Sequence, residues 1–309
     1  MPNIVNNFYY QIKPCLPRFF QIFIRRQLAC LKQKYLGEFW YIPKNIFKPP
    51  KTFLGWPDNK KFALVLTHDV DTARGQENVI RLMELEKELG FRSSFNFVPE
   101  RYQVSESIRK KLIKEGFEVG VHGLNHDGKL FKSKYIFEKR ILKINEYLND
   151  WKALGFRAPA MHHNLDWIHS LKIEYDCSTF DIDPFEPQSD GCSCIFPYFV
   201  EKKSNDHFYI ELPYTLPQDF TLFILLKDYD FEIWRRKLDW LANQWGMVLL
   251  NTHPDYMNFD KEHNGYDQYH ANLYNNFLKW INISYPQQYW HALPKEISNF
   301  WKSKVAVKG

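Results

Sequence analysis

Cysteine is scarce and unpatterned in this chain: Cys15, Cys30, Cys177, Cys192 and Cys194 form an odd set of five without regular spacing. That excludes a disulfide framework, and Cys192 with Cys194 lacks the second pair that a zinc knuckle needs. Reduced thiols in a cytoplasmic protein are the expectation. No apolar run reaches the length of a membrane span, and the first twenty residues lack the apolar core and small-residue cleavage site of a secretory signal. Internal repeats and low-complexity tracts are missing too, which sets aside solenoids and disordered chains. Acids are nearly absent from the first fifty residues: Met1 to Pro50 holds eight Lys or Arg against the single Glu38, a local charge of +7.

Since the whole chain carries +5, the remainder is at −2 and basicity is a property of the N-terminal stretch alone. A nucleic-acid partner is not expected. Between Leu16 and Tyr35, Phe19, Phe20, Ile22, Phe23, Ile24, Leu28 and Leu31 mix with Arg25, Arg26, Lys32 and Lys34. A helix of this kind suits an anionic membrane surface, a partner protein or packing against the rest of the molecule.

What is plentiful is core material. Hydrophobic residues make up 45% and charged residues 25% of the 309, enough for one large catalytic domain with appendages. Aromatics reach 17%, and polar aromatic stretches such as YPQQYW at Tyr285 to Trp290 suit stacking on sugar rings, although packing is the commoner use. The Pro-rich stretch from Lys44 to Asp58 reads as a linker. Residues 1–59 are therefore expected to form a basic extension with its linker, and residues 60–309 the catalytic domain with an aromatic-rich C-terminal segment.

From Lys60 onward, strand and helix patterns alternate. FALVLT at Phe62 to Thr67 is a continuous apolar run, as a strand buried on both faces requires. Helix is expected at Asn78 to Leu89, strand at Ser93 to Val98, helix at Ser105 to Glu115 and strand at Phe117 to Val121. Then come helix at Lys134 to Leu148, strand at Gly155 to Arg157, a helical stretch at Leu165 to Lys172 and strand at Tyr175 to Phe180. After a less regular middle, helix at Phe231 to Gln244 leads into a strand at Met247 to His253. Repeated strand-then-helix units imply parallel strands with right-handed crossovers, so the class is α/β. A barrel is favoured over an open sheet because polar residues recur just after several strands, where barrel loops build active sites.

Those strand ends carry the chemistry. THDVD puts Asp69 and Asp71 two apart, on one side of an extended chain, where two carboxylates repel unless a cation or proton intervenes. VGVHGLNHDG places His122 and His126 at the end of the third strand. One carboxylate with two imidazoles is a sound set for a divalent metal with open positions. GFRAP ends a strand with Arg157, whose guanidinium can clamp a carboxylate, and LLNTHPDY brings His253 to the same face. On these residues alone a metal hydrolase competes with three other readings. They are a non-haem iron oxygenase, a glycoside hydrolase using Asp69 and Asp71 as acid and base, and an inactive carbohydrate-binding protein.

The series THDVD, HGLNH, FRAP and LLNTH, in that order between Phe62 and Tyr256, resembles the motifs of the NodB-like polysaccharide deacetylases. The resemblance implies a distorted (β/α) barrel with fewer than eight repeats. It also implies metal-dependent removal of acetyl groups from an acetylated sugar or glycan. Carried over, Asp69 is the general base, Asp71, His122 and His126 hold one divalent ion, Arg157 holds the base and His253 is the general acid. Zinc is the first expectation for the ion, ahead of cobalt, nickel, manganese or iron. The aspartate that orients His253 would be Asp181, with Asp176 as its rival. A cytoplasmic location would favour a biosynthetic precursor over an exported polymer as substrate. Three positions depart from the pattern: Val70 separates the paired aspartates, Gly123 replaces the usual Ser or Thr, and Ala160 stands where an aromatic often follows the Arg-x-Pro.

Overall fold

Every residue of β1 (Phe62–Val70) is buried, as a run without alternation requires. The computed structural model describes residues 17–188, 190–201, 208–260 and 264–305. Cys15 and the rest of the basic stretch before residue 17 lie outside them. Beside β1 come β2 (Ser94–Phe97), β3 (Glu118–His122), β4 (Gly155–Arg157) and β5 (Tyr175–Asp176), all parallel. Beyond β5, β6 (Tyr198–Glu201) and β7 (Phe208–Glu211) form a hairpin whose second strand continues the parallel arc. On the other side of β1 lies β8 (Met247–Thr252), parallel over six residues. The circuit closes where Thr215 and Leu216 donate their N–H groups to Leu249 O, at 3.0 and 3.2 Å. The result is a distorted (β/α) barrel with fewer than eight repeats.

Helices cover the arc outside. They are α1 (Arg18–Leu36), which precedes the barrel, α2 (Ala73–Glu88), α3 (Glu106–Lys114), α4 (Lys134–Trp151), the single turn α5 (Leu165–Ile168), α6 (Glu232–Asn243), α7 (Asn272–Ser284) and α8 (Pro294–Phe300). Two starts follow from capping, since Ser105 and Ser133 accept the N–H of Ile108 and Ile136 at the heads of α3 and α4. Helix α2 begins five residues before the predicted Asn78. Its first turn is held by Asp255, which accepts from Asp71 N–H and Thr72 Oγ1, so the apolar period of the sequence starts a turn late. The predicted strand at Tyr175 to Phe180 contracts to its first two residues plus a bridge between Phe180 and Tyr214.

The Pro-rich stretch is a strap and not a free linker. Trp56 is 3% exposed, donates Nε1–H to Trp245 O at 2.8 Å and packs among Phe53, Phe196, Trp290, Phe300 and Trp301. The sugar-stacking expectation for YPQQYW gives way to packing. Its end forms β9 (Tyr289–His291) on Phe62 to Leu64, at the end of β1 remote from Asp69 and Asp71, and Trp290 joins the same aromatic cluster.

Helix α1 docks on the π-helical turn Phe220–Leu225, with the Arg26 guanidinium on Ile224 O at 2.9 and 3.1 Å. Ile22 and Ala29 face inward, while Phe19, Phe20, Phe23 and Leu31 form an exposed outer stripe. Among the described residues no helix is long and apolar enough to cross a membrane.

Candidate metal centre and its acid-base pair

Period-two geometry aims Thr67, Asp69 and Asp71 of the first strand into the barrel and turns His68 outward, where it meets Glu86 at 2.8 Å. Strand register then does the rest. Asp69 stands beside Asn96 of β2, Asn96 beside Gly120 of β3, and His122 beside Arg157 of β4. A side chain at Gly120 would collide with Asn96, since a Cβ there would sit 2.1 Å from Asn96 Oδ1. The glycine therefore clears the row along which Asn96 reaches Asp69.

Three donors hold the Asp69 carboxylate. Its Oδ1 accepts from Asn96 Nδ2 at 3.0 Å and Arg157 NH1 at 3.2 Å, and its Oδ2 accepts from Asn251 Nδ2 at 2.8 Å. Burial alone would raise its pKa, but Arg157, His122 and His253 pull it down to about 2. Asp69 is a carboxylate at any working pH. Thr67 and Asn251 in turn accept from Arg157 NH1, which fixes the guanidinium between β1 and β8.

Asp71, His122 and His126 converge so that one ligand atom from each lies within 4.8 Å of the others. The two imidazole Nε2 atoms face Asp71 Oδ1 at 3.4 and 3.2 Å. His122 Nδ1 lies 3.0 Å from Arg157 O, a carbonyl that can only accept, so Nδ1 carries a hydrogen and Nε2 is the nitrogen left to face Asp71. Asp71 Oδ1 is buried without a hydrogen-bond partner among the described residues. Two imidazole nitrogens and a buried carboxylate oxygen gathered this closely leave a place that a cation satisfies, and the donor set fits a divalent ion.

The loops are shaped for this. His126 adopts a left-handed φ of 53°, a strained backbone for a side chain of its size. Gly123 has φ +62, and a Cβ there would meet Pro159 Cγ at 2.4 Å, so the glycine lets Pro159 close over the loop. Gly75 clears Asp255 in the same way, with a Cβ only 2.1 Å from its Oδ2. Ala160 is also left-handed, at φ 54°, and its N–H bonds to nothing among the described residues, whereas the Met161 and His162 N–H groups turn back to Ala158 O and Pro159 O.

His253 faces this set from β8. Neither aspartate expected to orient it does so: Asp219, on the loop before the π-helical turn, accepts from His253 Nδ1 at 2.7 Å and from its N–H at 2.8 Å. Tyr269 OH completes Asp219 at 3.0 Å. Asp181 is instead buried against Lys237 Nζ at 2.8 Å, and Asp176 lies deeper in the barrel beside Glu211. The reason is topological: β7 stands between β5 and β8, so Asp176 and Asp181 lie a strand away from His253, while the residues after Tyr214 reach β8. Burial by itself would lower the His253 pKa. Asp219, then Asp71 and Asp69, carry it up to about 10, so the ring is an imidazolium at neutral pH.

Sequence reading missed Asn96, Asn251, Asp219 and Asp255. The first two had a usable signal, an amide inside a strand otherwise apolar, which must find a buried partner. The aspartates had none.

This barrel recurs in solved structures. A Mycobacterium smegmatis protein assigned as a polysaccharide deacetylase matches at TM-score 0.66 over 85% of this chain and 97% of its own, with 18% identity. A Pseudomonas aeruginosa PAO1 protein assigned as a polysaccharide deacetylase matches at 0.63 over 84% and 98%, with 14% identity. PuuE allantoinase matches at 0.61 over 85% and 98%, with 15% identity. No family model and no curated protein matches the sequence. The chain thus has the fold of the polysaccharide deacetylases, a fold that an allantoinase shares.

Proposed function

We propose that this protein is a metal-dependent hydrolase that removes an acyl group, acetyl in the first instance, from the nitrogen of an acylated amino sugar. The observation that carries the reading is the opposition of two sets across one barrel mouth. On one side stand Asp71, His122 and His126, and on the other an imidazolium held by Asp219. A divalent ion on the three ligands, with zinc the first choice, would acidify a water and polarise the acyl carbonyl. Asp69, ionised and locked by Arg157, Asn96 and Asn251, takes the proton of the attacking water. The Ala160 N–H is free to receive the oxyanion. His253 gives its Nε2 proton to the departing amine, and Asp219 steadies the ring while it does so.

A glycosidase needs one carboxyl of its pair kept protonated. Asp69, drawn down to about 2 by Arg157 and the histidines, is shifted the opposite way from such an acid.

The test is metal analysis joined to an assay of acetate released from N-acetylated sugars. Wild type is expected to carry close to one ion per chain and to release acetate, and His126→Ala to lose both while remaining folded. Full metal content in folded His126→Ala, or no acyl release by the loaded wild type, sinks the reading.

A further inference from the structure

Helix α1 covers part of the mouth just described, and its inner face is not apolar throughout. Arg18 and Arg25 are seven residues apart, two turns, and so share that face about 10 Å from each other along the axis. Arg18 NH2 sits 3.1 Å from Tyr256 OH, and the Tyr256 ring lies 5.2 Å from that of His253. The Arg25 guanidinium lies 4.6 Å over the ring of Phe220, which is itself 5.1 Å from Tyr256. Arg18 on the Tyr256 hydroxyl and Arg25 over the Phe220 ring thus place two guanidinium groups on adjoining aromatics of one wall, beside the proton donor.

Most arginines near them are spent. Arg26 is on Ile224 O and Tyr266 O, Arg74 is bidentate on Asp267, and Arg157 is on Asp69. Arg18 and Arg25 make no ion pair among the described residues. Carboxylates do lie within electrostatic reach: Asp71 and Asp267 of Arg18, and Glu186 of Arg25. Each is already engaged, Asp71 by the ligand set, Asp267 by Arg74, and Glu186 by Tyr214 OH at 2.8 Å and Gln218 Nε2 at 2.7 Å. A planar fork with free N–H groups, stacked on an aromatic ring and close to a reacting centre, is suited to an oxyanion.

We propose that Arg18 and Arg25 form an anion subsite that receives a phosphate or carboxylate group borne by the substrate beside its acylamino group. The inference rests on the deacylase reading and narrows its substrate to acidic acylamino sugars. It also makes α1 a wall of the active site: the two arginines are positioning residues that hold the substrate against Tyr256 and Phe220.

The experiment measures acetate release by the full-length, metal-loaded protein from N-acetylglucosamine, its anomeric phosphate and N-acetylmuramic acid. The comparison covers wild type, Arg18→Gln, Arg18→Lys and Arg25→Gln. Wild type should favour one of the acidic sugars, and which one tells phosphate from carboxylate. Arg18→Gln should lose at least about tenfold more kcat/KM on that sugar than on the neutral one, mostly through KM, as befits one charge-assisted hydrogen bond. Arg18→Lys should recover part of the loss, since it keeps the charge without the fork. No acidic preference, or equal losses on acidic and neutral sugars, overturns the subsite.

If none of the three sugars is deacylated, the deacylase reading has failed, and calorimetric titration with inorganic phosphate decides the subsite separately. Binding to wild type that the Arg18→Gln, Arg25→Gln double variant loses supports it. Equal affinity, or no binding by either, overturns it.

Discussion

Two sets of buried carboxyls in this barrel have their pKa values pushed in opposite directions. At the mouth, Asp69 is pulled to about 2 against its own burial, because Arg157 and two histidines surround it. Deeper in, Asp176 and Glu211 are raised by burial, and hydroxyls, one N–H and each other are their main company. Asp176 Oδ2 and Glu211 Oε2 both lack a hydrogen-bond partner among the described residues, an arrangement that one proton held between them resolves. Glu118, bonded to Tyr175 OH at 2.8 Å, is likewise pushed by burial up to about 7. Desolvation is common to all of these acids. At Asp69 the adjacent Arg157 and the histidines are what reverse its direction.

The largest effect should come from removing the carboxylate that charges His253. Asp219→Asn keeps the shape, but the amide cannot stabilise an imidazolium, and kcat on an N-acetyl sugar should fall by roughly 10³- to 10⁴-fold. A loss under about tenfold would show that His253 does not act as an acid. Next is Arg157→Met, which strips Asp69 of its cation and so moves it into the condition of the deeper acids. Chemical denaturation should register about 3–5 kcal/mol lost near neutral pH. A smaller loss at low pH, where Asp69 can take up a proton, would sharpen the contrast, whereas a pH-independent loss would break it.

The smallest effect concerns the shared proton. An acid whose pKa is higher folded than unfolded keeps its proton longer when folded. Its contribution is therefore complete below the ordinary carboxylate range and shrinks as pH rises toward the folded value. Asp176→Asn should flatten the decline of Tm between pH 5 and pH 8 by on the order of a few degrees. An unchanged slope would mean that the pair does not hold a proton.

Much of the mouth was legible because β-strands have a period of two and parallel strands end together. Asp69, Asp71, His122, Arg157 and His253 all follow from strand ends plus alternation, and His126 from the tight loop that Gly123 allows. Spacing could not find Asp219. It lies on an irregular stretch between β7 and α6, and its partner is chosen by where the chain re-enters the barrel, which no local pattern records. The strap was misread for a related reason: prolines forbid helix but say nothing about whether an extended chain packs, and Trp56 decides that it does. The short strands β6, β7 and β9 have too few residues for alternation to declare itself.

The aromatic cluster beneath the barrel has a consequence for how the molecule is made. Trp56 meets Trp290, Phe300 and Trp301, so the floor joins residues more than two hundred positions apart in the sequence. During synthesis the parallel strands up to β8 can assemble while that floor is still open, and Trp56 stays without most of its partners until the last helical turns emerge. Contacts of such long range are slow to form and leave apolar surface uncovered in the interval. The interval between the appearance of Trp56 and that of Trp301 is therefore when the nascent chain is most exposed to aggregation, and when shielding by a chaperone would matter most.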